Sequence, residues 1–99
     1  MPHVMIRYKI KPDQVARELE LLRAVYQELE STQPDGLTYA TFQLEDEVSF
    51  VEFAVIDGPG RFSQLESFRL YRSTLDTRCE EPPELTSLRS VGSYHGVLT

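Results

Sequence analysis

The sequence predicts an α+β domain of order β-α-β-β-α-β, with both helices on one face of a four-stranded antiparallel sheet. Three observations carry this expectation. Residues 3–10 alternate between apolar and polar side chains, residues 14–30 repeat apolar positions at spacings of three and four, and residues 37–55 form two β-rich halves about an acidic tip. The chain has 99 residues, enough for one domain spanning 1–99 with a core of its own.

In the first strand, Val4, Ile6, Tyr8 and Ile10 face one way and His3, Met5, Arg7 and Lys9 the other. Pro12 ends it, since proline cannot donate to a ladder, and Asp13 suits a helix N-cap. The helix Gln14 to Glu30 carries Val15, Leu19, Leu22, Tyr26 and Leu29 on one stripe. The run Gln33-Pro34-Asp35-Gly36 returns the chain to the sheet.

The hairpin LTYATFQLEDEVSFVEFAV turns at Glu45-Asp46-Glu47. A two-residue loop at Asp46 and Glu47 sets Tyr39 opposite Ala54, Thr41 opposite Glu52 and Gln43 opposite Phe50. Period two then gives two unlike faces. Ala40, Phe42, Leu44, Val51, Phe53 and Val55 read as the core face. Leu37, Tyr39, Thr41, Gln43, Val48, Phe50, Glu52 and Ala54 form a mixed face, expected to lie away from the helices with Met5, Arg7 and Lys9.

Asp57-Gly58-Pro59-Gly60 reads as a tight loop. It lacks the Lys-Ser/Thr and the glycine spacing of a phosphate loop. Helical periodicity resumes over Arg61 to Cys79, as a short turn followed by a longer helix with Phe68, Tyr71 and Leu75 on its stripe. Pro82-Pro83 stops any helix. A last strand is expected over Leu85 to Leu98, bent at Gly92 or Gly96. Right-handed crossovers make this order the ferredoxin-like arrangement, with the first strand beside the third.

Composition excludes several function classes. A net charge of −6 with ten dispersed basic residues opposes binding to phosphate backbones. No apolar run approaches the roughly 18 residues of a membrane span, and the start MPHVMIRYKI is unlike a signal peptide. Cys79 is the single cysteine, so no internal disulfide forms and a cytoplasmic setting is expected. It reads as a small buried hydrophobe. His3 and His95 lie near opposite ends of the chain, and no His/Cys/carboxylate spacing suggests a metal site.

The mixed face bears on assembly. Left wet, its large apolar residues would each forgo about 1.5–3 kcal/mol, a heavy loss against a total stability of about 5–15 kcal/mol. A second copy packed there recovers it, so a homodimer is expected with Met5, Arg7, Tyr39, Thr41, Phe50 and Glu52 at the interface. Arg7 and Glu52 would form a charge pair on that face. An RNA-recognition sheet is excluded by the absence of its glycine- and base-rich signature from VSFVEFAV.

The opening RYKIKPD, the strand DGLTYATFQ and the late EEPPEL together resemble the dimeric α/β-barrel superfamily, in particular its antibiotic biosynthesis monooxygenase-like group. The resemblance implies two ferredoxin-like subunits whose sheets close into one barrel. It also implies a small-molecule pocket in each subunit between sheet and helices. Members include cofactor-independent oxygenases acting on quinols and polycyclic phenols, haem-degrading enzymes and proteins without a known role. The haem-degrading members carry an Asn on the first strand, a Trp near the second helix and a His on that helix. Here Ile6 stands at the first position, the chain has no Trp, and residues 61–79 contain no His. The Glu-x-Trp of the third strand is replaced by Phe53-Ala54-Val55.

No cofactor is therefore expected. The implied pocket falls to Tyr8, Phe42, Phe53, Tyr71 and Arg72, with Tyr94 as a further candidate, and would take a small aromatic molecule. Two functions fit: a cofactor-independent monooxygenase, whose substrate anion itself reduces oxygen, or a non-catalytic ligand-binding or accessory protein.

Overall fold

The computed structural model describes residues 3–56 and 62–94. Its elements are β1 (His3–Ile10), α1 (Val15–Thr32), β2 (Leu37–Gln43), β3 (Ser49–Ile56), α2 (Glu66–Ser73), the single turn α3 (Leu75–Arg78) and β4 (Cys79–Leu88). Short 3-10 turns at Pro12–Gln14 and Phe62–Gln64 precede α1 and α2. The four strands form one sheet in the order β2-β3-β1-β4, and every pairing is antiparallel. The expected α+β, ferredoxin-like arrangement is what the chain adopts.

The register of the hairpin is the expected one, with Tyr39 opposite Ala54, Thr41 opposite Glu52 and Gln43 opposite Phe50. The Asp46 carboxylate builds its tip. Oδ1 accepts from the amides of Val48 and Ser49 at 3.0 and 2.8 Å, and Oδ2 accepts from the Ser49 hydroxyl at 2.6 Å. Glu47 closes the turn in the left-handed region, at φ 67°, and donates its amide to the Leu44 carbonyl at 2.9 Å.

Except at Val55, which is buried as expected, the two faces of the hairpin are the reverse of the expectation. Phe50, Glu52 and Ala54 are buried together with Tyr8 and Ile10 of β1. Tyr39 packs on the same core, as do α1, through Leu21, Leu22 and Val25, and α2 with α3, through Tyr71 and Leu75. Phe42 is 55% exposed on the opposite face, where Phe53 meets it edge-on at 6.0 Å. Strand pairing requires this: Tyr8 lies opposite Phe50 and Ile6 opposite Glu52, and directly opposed residues share a face. Arg7 lies opposite Val51, so Arg7 and Glu52 sit on opposite sides of the sheet and form no pair.

Three further corrections concern the ends of elements. Asp13 lies within the 3-10 turn, and Gln14 occupies the cap of α1 without a side-chain bond. The last strand runs over Cys79–Leu88 rather than from Leu85 to Leu98. It takes in Pro82 and Pro83 because β4 is an edge strand, with one side free of ladder bonds. The β1–β4 register shifts between Arg7 and Ile10, so the irregularity falls beside the prolines and not at Gly92, which lies beyond the strand. The expected loop over residues 57–60, and residues 95–98 of the expected last strand, lie outside the described residues. No helix among the described residues is long and apolar enough to cross a membrane.

Candidate functional site

Beneath the helices the sheet carries a buried polar cluster. The Tyr8 hydroxyl, from β1, lies 2.6 Å from Glu18 Oε2 of α1 and 2.8 Å from Glu52 Oε2 of β3. It is also 2.8 Å from the Tyr71 hydroxyl of α2, which in turn donates to Glu52 Oε2. Tyr39 of β2 donates to Glu52 Oε1 at 2.6 Å. On the far side Arg78 Nε donates to Glu18 Oε1 at 2.9 Å, and its Nη2 donates to the Tyr71 carbonyl at 3.0 Å. Arg78 also bonds the Thr74 hydroxyl and lies over the Tyr71 ring at 5.6 Å. Glu18 is 0% exposed and Glu52 2%, yet every buried polar side-chain atom among the described residues has a partner. Unpartnered, such groups would each cost several kcal/mol (roughly 1–3 or more).

Local sequence explains each position. Glu18, Leu21, Leu22 and Val25 follow i, i+3, i+4, i+7 on α1, so a carboxylate occupies one end of the buried stripe. Glu52 alternates with Phe50 and Ala54 on the inner face of β3. Tyr71, Leu75 and Arg78 repeat at four and three along α2 and α3 and are all buried.

Burial holds the Glu52 carboxyl above the usual carboxylate range, with the Glu18 charge adding to the rise and the three tyrosine hydroxyls opposing it. Burial and then the Glu52 charge push the Tyr8, Tyr39 and Tyr71 phenols well up. Tyr26, whose hydroxyl lies 2.7 Å from Thr41 Oγ1, is raised to about 12 by burial. These phenols stay protonated at neutral pH and act as hydrogen-bond donors or relays rather than as bases.

An aromatic file leads outward from the cluster. Tyr39 stacks on Tyr26 at 5.3 Å and meets Phe62 edge-on at 4.9 Å, and Phe68 links Phe62 to Tyr71. Beside Tyr39 and Tyr26 a cleft of about 270 Å³ opens between the end of α1 and the start of β2. Leu29, Pro34 and Leu37 give it apolar walls, while Glu30 and Gln33 add polar groups. Gln33 takes the left-handed cap conformation of α1 (φ 46°) and donates its amide to the Leu29 carbonyl at 2.8 Å. The size is near the lower end of ligand pockets, about 300 Å³.

Of the pocket residues expected from the sequence, the structure brings together Tyr8 and Tyr71. Phe42 and Phe53 stand on the opposite face of the sheet. Arg72 lies on the surface, 3.5 Å from Asp76 with its side chain 52% exposed, and Tyr94 is 83% exposed. Of the expected interface set, Met5 and Arg7 lie on the outer face, whereas Tyr39, Thr41, Phe50 and Glu52 lie under the helices. Glu18, Arg78 and the inward role of Glu52 were not anticipated. Their signal was present as polar residues at interior positions of otherwise apolar repeats. Cys79 is half-buried, its thiol pushed up to about 11 by burial. No group of three or more metal-ligating side chains occurs among the described residues.

No family model matches the sequence, and no curated protein matches it either. Solved structures do. Rv0793 from Mycobacterium tuberculosis superposes with a TM-score of 0.73 at 19% identity, over 93% of this chain and 96% of that one. A protein named antibiotic biosynthesis monooxygenase gives 0.66 at 20% identity, over 93% and 100%. SnoaB, a cofactor-independent oxygenase from Streptomyces nogalater, gives 0.68 at 12% identity, over 95% and 96%. The fold of this chain is the antibiotic biosynthesis monooxygenase-like fold that the resemblance implied.

Proposed function

We propose that this chain is a small-molecule-binding protein that works as a homodimer, a dimeric α/β barrel, in the cytoplasm. Its ligand is a planar, easily ionised aromatic molecule of the quinol or anthrone type, seated in the cleft beside Tyr39. The reaction is cofactor-independent oxygenation, in which the ligand anion reduces oxygen and the protein binds, orients and deprotonates it. The observation that carries this reading is the cleft itself. It has apolar walls and two stacked tyrosines, one of which is hydrogen-bonded to a buried carboxyl group.

The dimer rests on the outer face of the sheet. Phe42 is 55% exposed there, and Met5, Ala40, Val51 and Phe53 are half-buried around it. A second copy laid on this face would bury Phe42 and these neighbours.

One observation favours non-catalytic binding on the same fold. Arg72, the cation expected to stabilise a ligand anion, faces solvent and Asp76. Oxygen uptake with a panel of quinols and anthrones separates the two. Saturable uptake by the wild type supports oxygenation, and saturable binding without uptake supports the binding protein. Neither binding nor uptake across the panel contradicts both.

A further inference from the structure

Four close oxygen–oxygen contacts meet in the buried cluster. Tyr8 approaches Glu18 Oε2, Glu52 Oε2 and the Tyr71 hydroxyl, and Tyr71 approaches Glu52 Oε2. Tyr8 and Tyr71 bring one proton each, and two protons do not fill four contacts. If both carboxyls were charged and Tyr8 donated to Glu18, lone pairs of Tyr8 and Glu52 would face each other at 2.8 Å. A third proton, on Glu52 Oε2, turns that contact into a hydrogen bond donated to Tyr8 and raises the filled contacts from two to three, leaving only the Tyr8–Tyr71 approach without a proton. Charge balance agrees. Arg78 neutralises one carboxylate, Glu18, at 2.9 Å, and among the described residues no ion pair reaches Glu52. With both carboxyls ionised, the charge on Glu52 would lie this deep uncompensated, which is costly, whereas one paired charge and one neutral acid are not.

We propose that Glu18 and Glu52, bridged by Tyr8, hold a single proton between them and form a relay that accepts a proton from the hydroxyl of a phenol- or enol-type ligand seated against Tyr39. The relay rests on the ligand reading given above. From Tyr39 inward, each step is a hydrogen-bond shift along contacts already present. The ligand O–H passes its proton to the Tyr39 oxygen, and Tyr39 passes its own to Glu52 Oε1. Glu52 releases the proton on Oε2 to Tyr8, and Tyr8 gives its own to Glu18 Oε2. The ligand has lost one proton, Glu18 has gained one, and each group between is left with the number it had. The groups facing Glu52 are Tyr39 from β2, Tyr8 from β1, Tyr71 from α2 and Glu18 from α1. Arg78 of α3 lies behind Glu18, and Tyr26 stands beside Tyr39. Tyr39 would touch the ligand; Glu52, Tyr8 and Glu18 act through it as positioning residues.

Two readouts test the proposal. The first is the infrared spectrum of the ligand-free protein labelled with ¹³C-glutamate. A protonated-carboxyl band is expected at neutral pH and is expected to vanish in Glu52→Gln, whose amide can still accept from Tyr39 and donate to Tyr8. The second uses 4-nitrophenol as the bound probe, because its ionisation is read by visible absorbance. Bound to the wild type, its ratio of anion to neutral form should rise by at least about tenfold over the free probe at the same pH, one pKa unit. Glu52→Gln and Tyr39→Phe should bind the probe and lose that rise, with circular dichroism showing both folded. Absence of the infrared band overturns the shared proton. An undiminished rise in both variants overturns the relay. If the wild type binds neither 4-nitrophenol nor any quinol, the ligand reading fails, and the infrared band then decides the shared proton by itself.

Discussion

Removing the Arg78 guanidinium would leave the Glu18 carboxylate buried without a counter-charge. Arg78→Met should therefore cost about 3–5 kcal/mol in urea unfolding. Adding Glu18→Leu to it should recover much of the loss, because the apolar pair leaves no buried charge behind. Glu52 behaves differently because, among the described residues, no ion pair reaches it. Its pKa is raised in the folded protein, so the folded state binds more protons than the unfolded chain between the two values. Stability contributed by Glu52 is then full below the unfolded carboxylate range and declines as pH rises through the folded value. Glu52→Gln cannot ionise. Its stability relative to the wild type should grow with rising pH across that window, as followed by urea titrations at several pH values. Neither role was legible residue by residue. Charged side chains are ordinarily assigned to solvent, and only the intact interior spacing of Glu18, Glu52 and Arg78 marked them as exceptions.

At the scale of elements, the hairpin owes its turn to one side chain. Asp46 accepts three hydrogen bonds, and they hold its carboxyl below the usual range, the Ser49 hydroxyl contributing most. Asp46→Ala should lower the Tm at neutral pH. The difference should shrink as pH falls through the folded value, because protonation removes the same interaction from the wild type. The register was legible because an acidic tip between two β-rich runs fixes the pairing. The facing was not, because both sides of the hairpin carry large apolar residues. Tyr39 and Phe50 could equally have met a second copy, and only the partnership of β3 with β1 decides that they meet the helices. The boundary of β4 was missed for a related reason. Two adjacent prolines argue against a central strand, but an edge strand keeps them where its amides face away from the ladder.

At the scale of the whole molecule, the outer sheet face carries the expectation of assembly, with Phe42 and Phe53 in place of Phe50. In sedimentation equilibrium the wild type should run at twice the mass of the chain. Phe42→Lys should shift the dimer dissociation constant upward by at least about tenfold, since it would bury a cation against a symmetry mate. Phe50→Lys should instead unfold the chain, because Phe50 is 1% exposed in the core. The order of elements, and with it the fold, could be read from periodicity alone. The position of the ligand cleft could not, because it depends on where the end of α1 meets the start of β2. The most direct test of the central claim is therefore calorimetric titration of an anthrone into the wild type and into Leu37→Trp, a variant that fills the cleft. Saturable binding by the wild type, lost in the folded variant, is the result this account predicts; equal binding by both would contradict it.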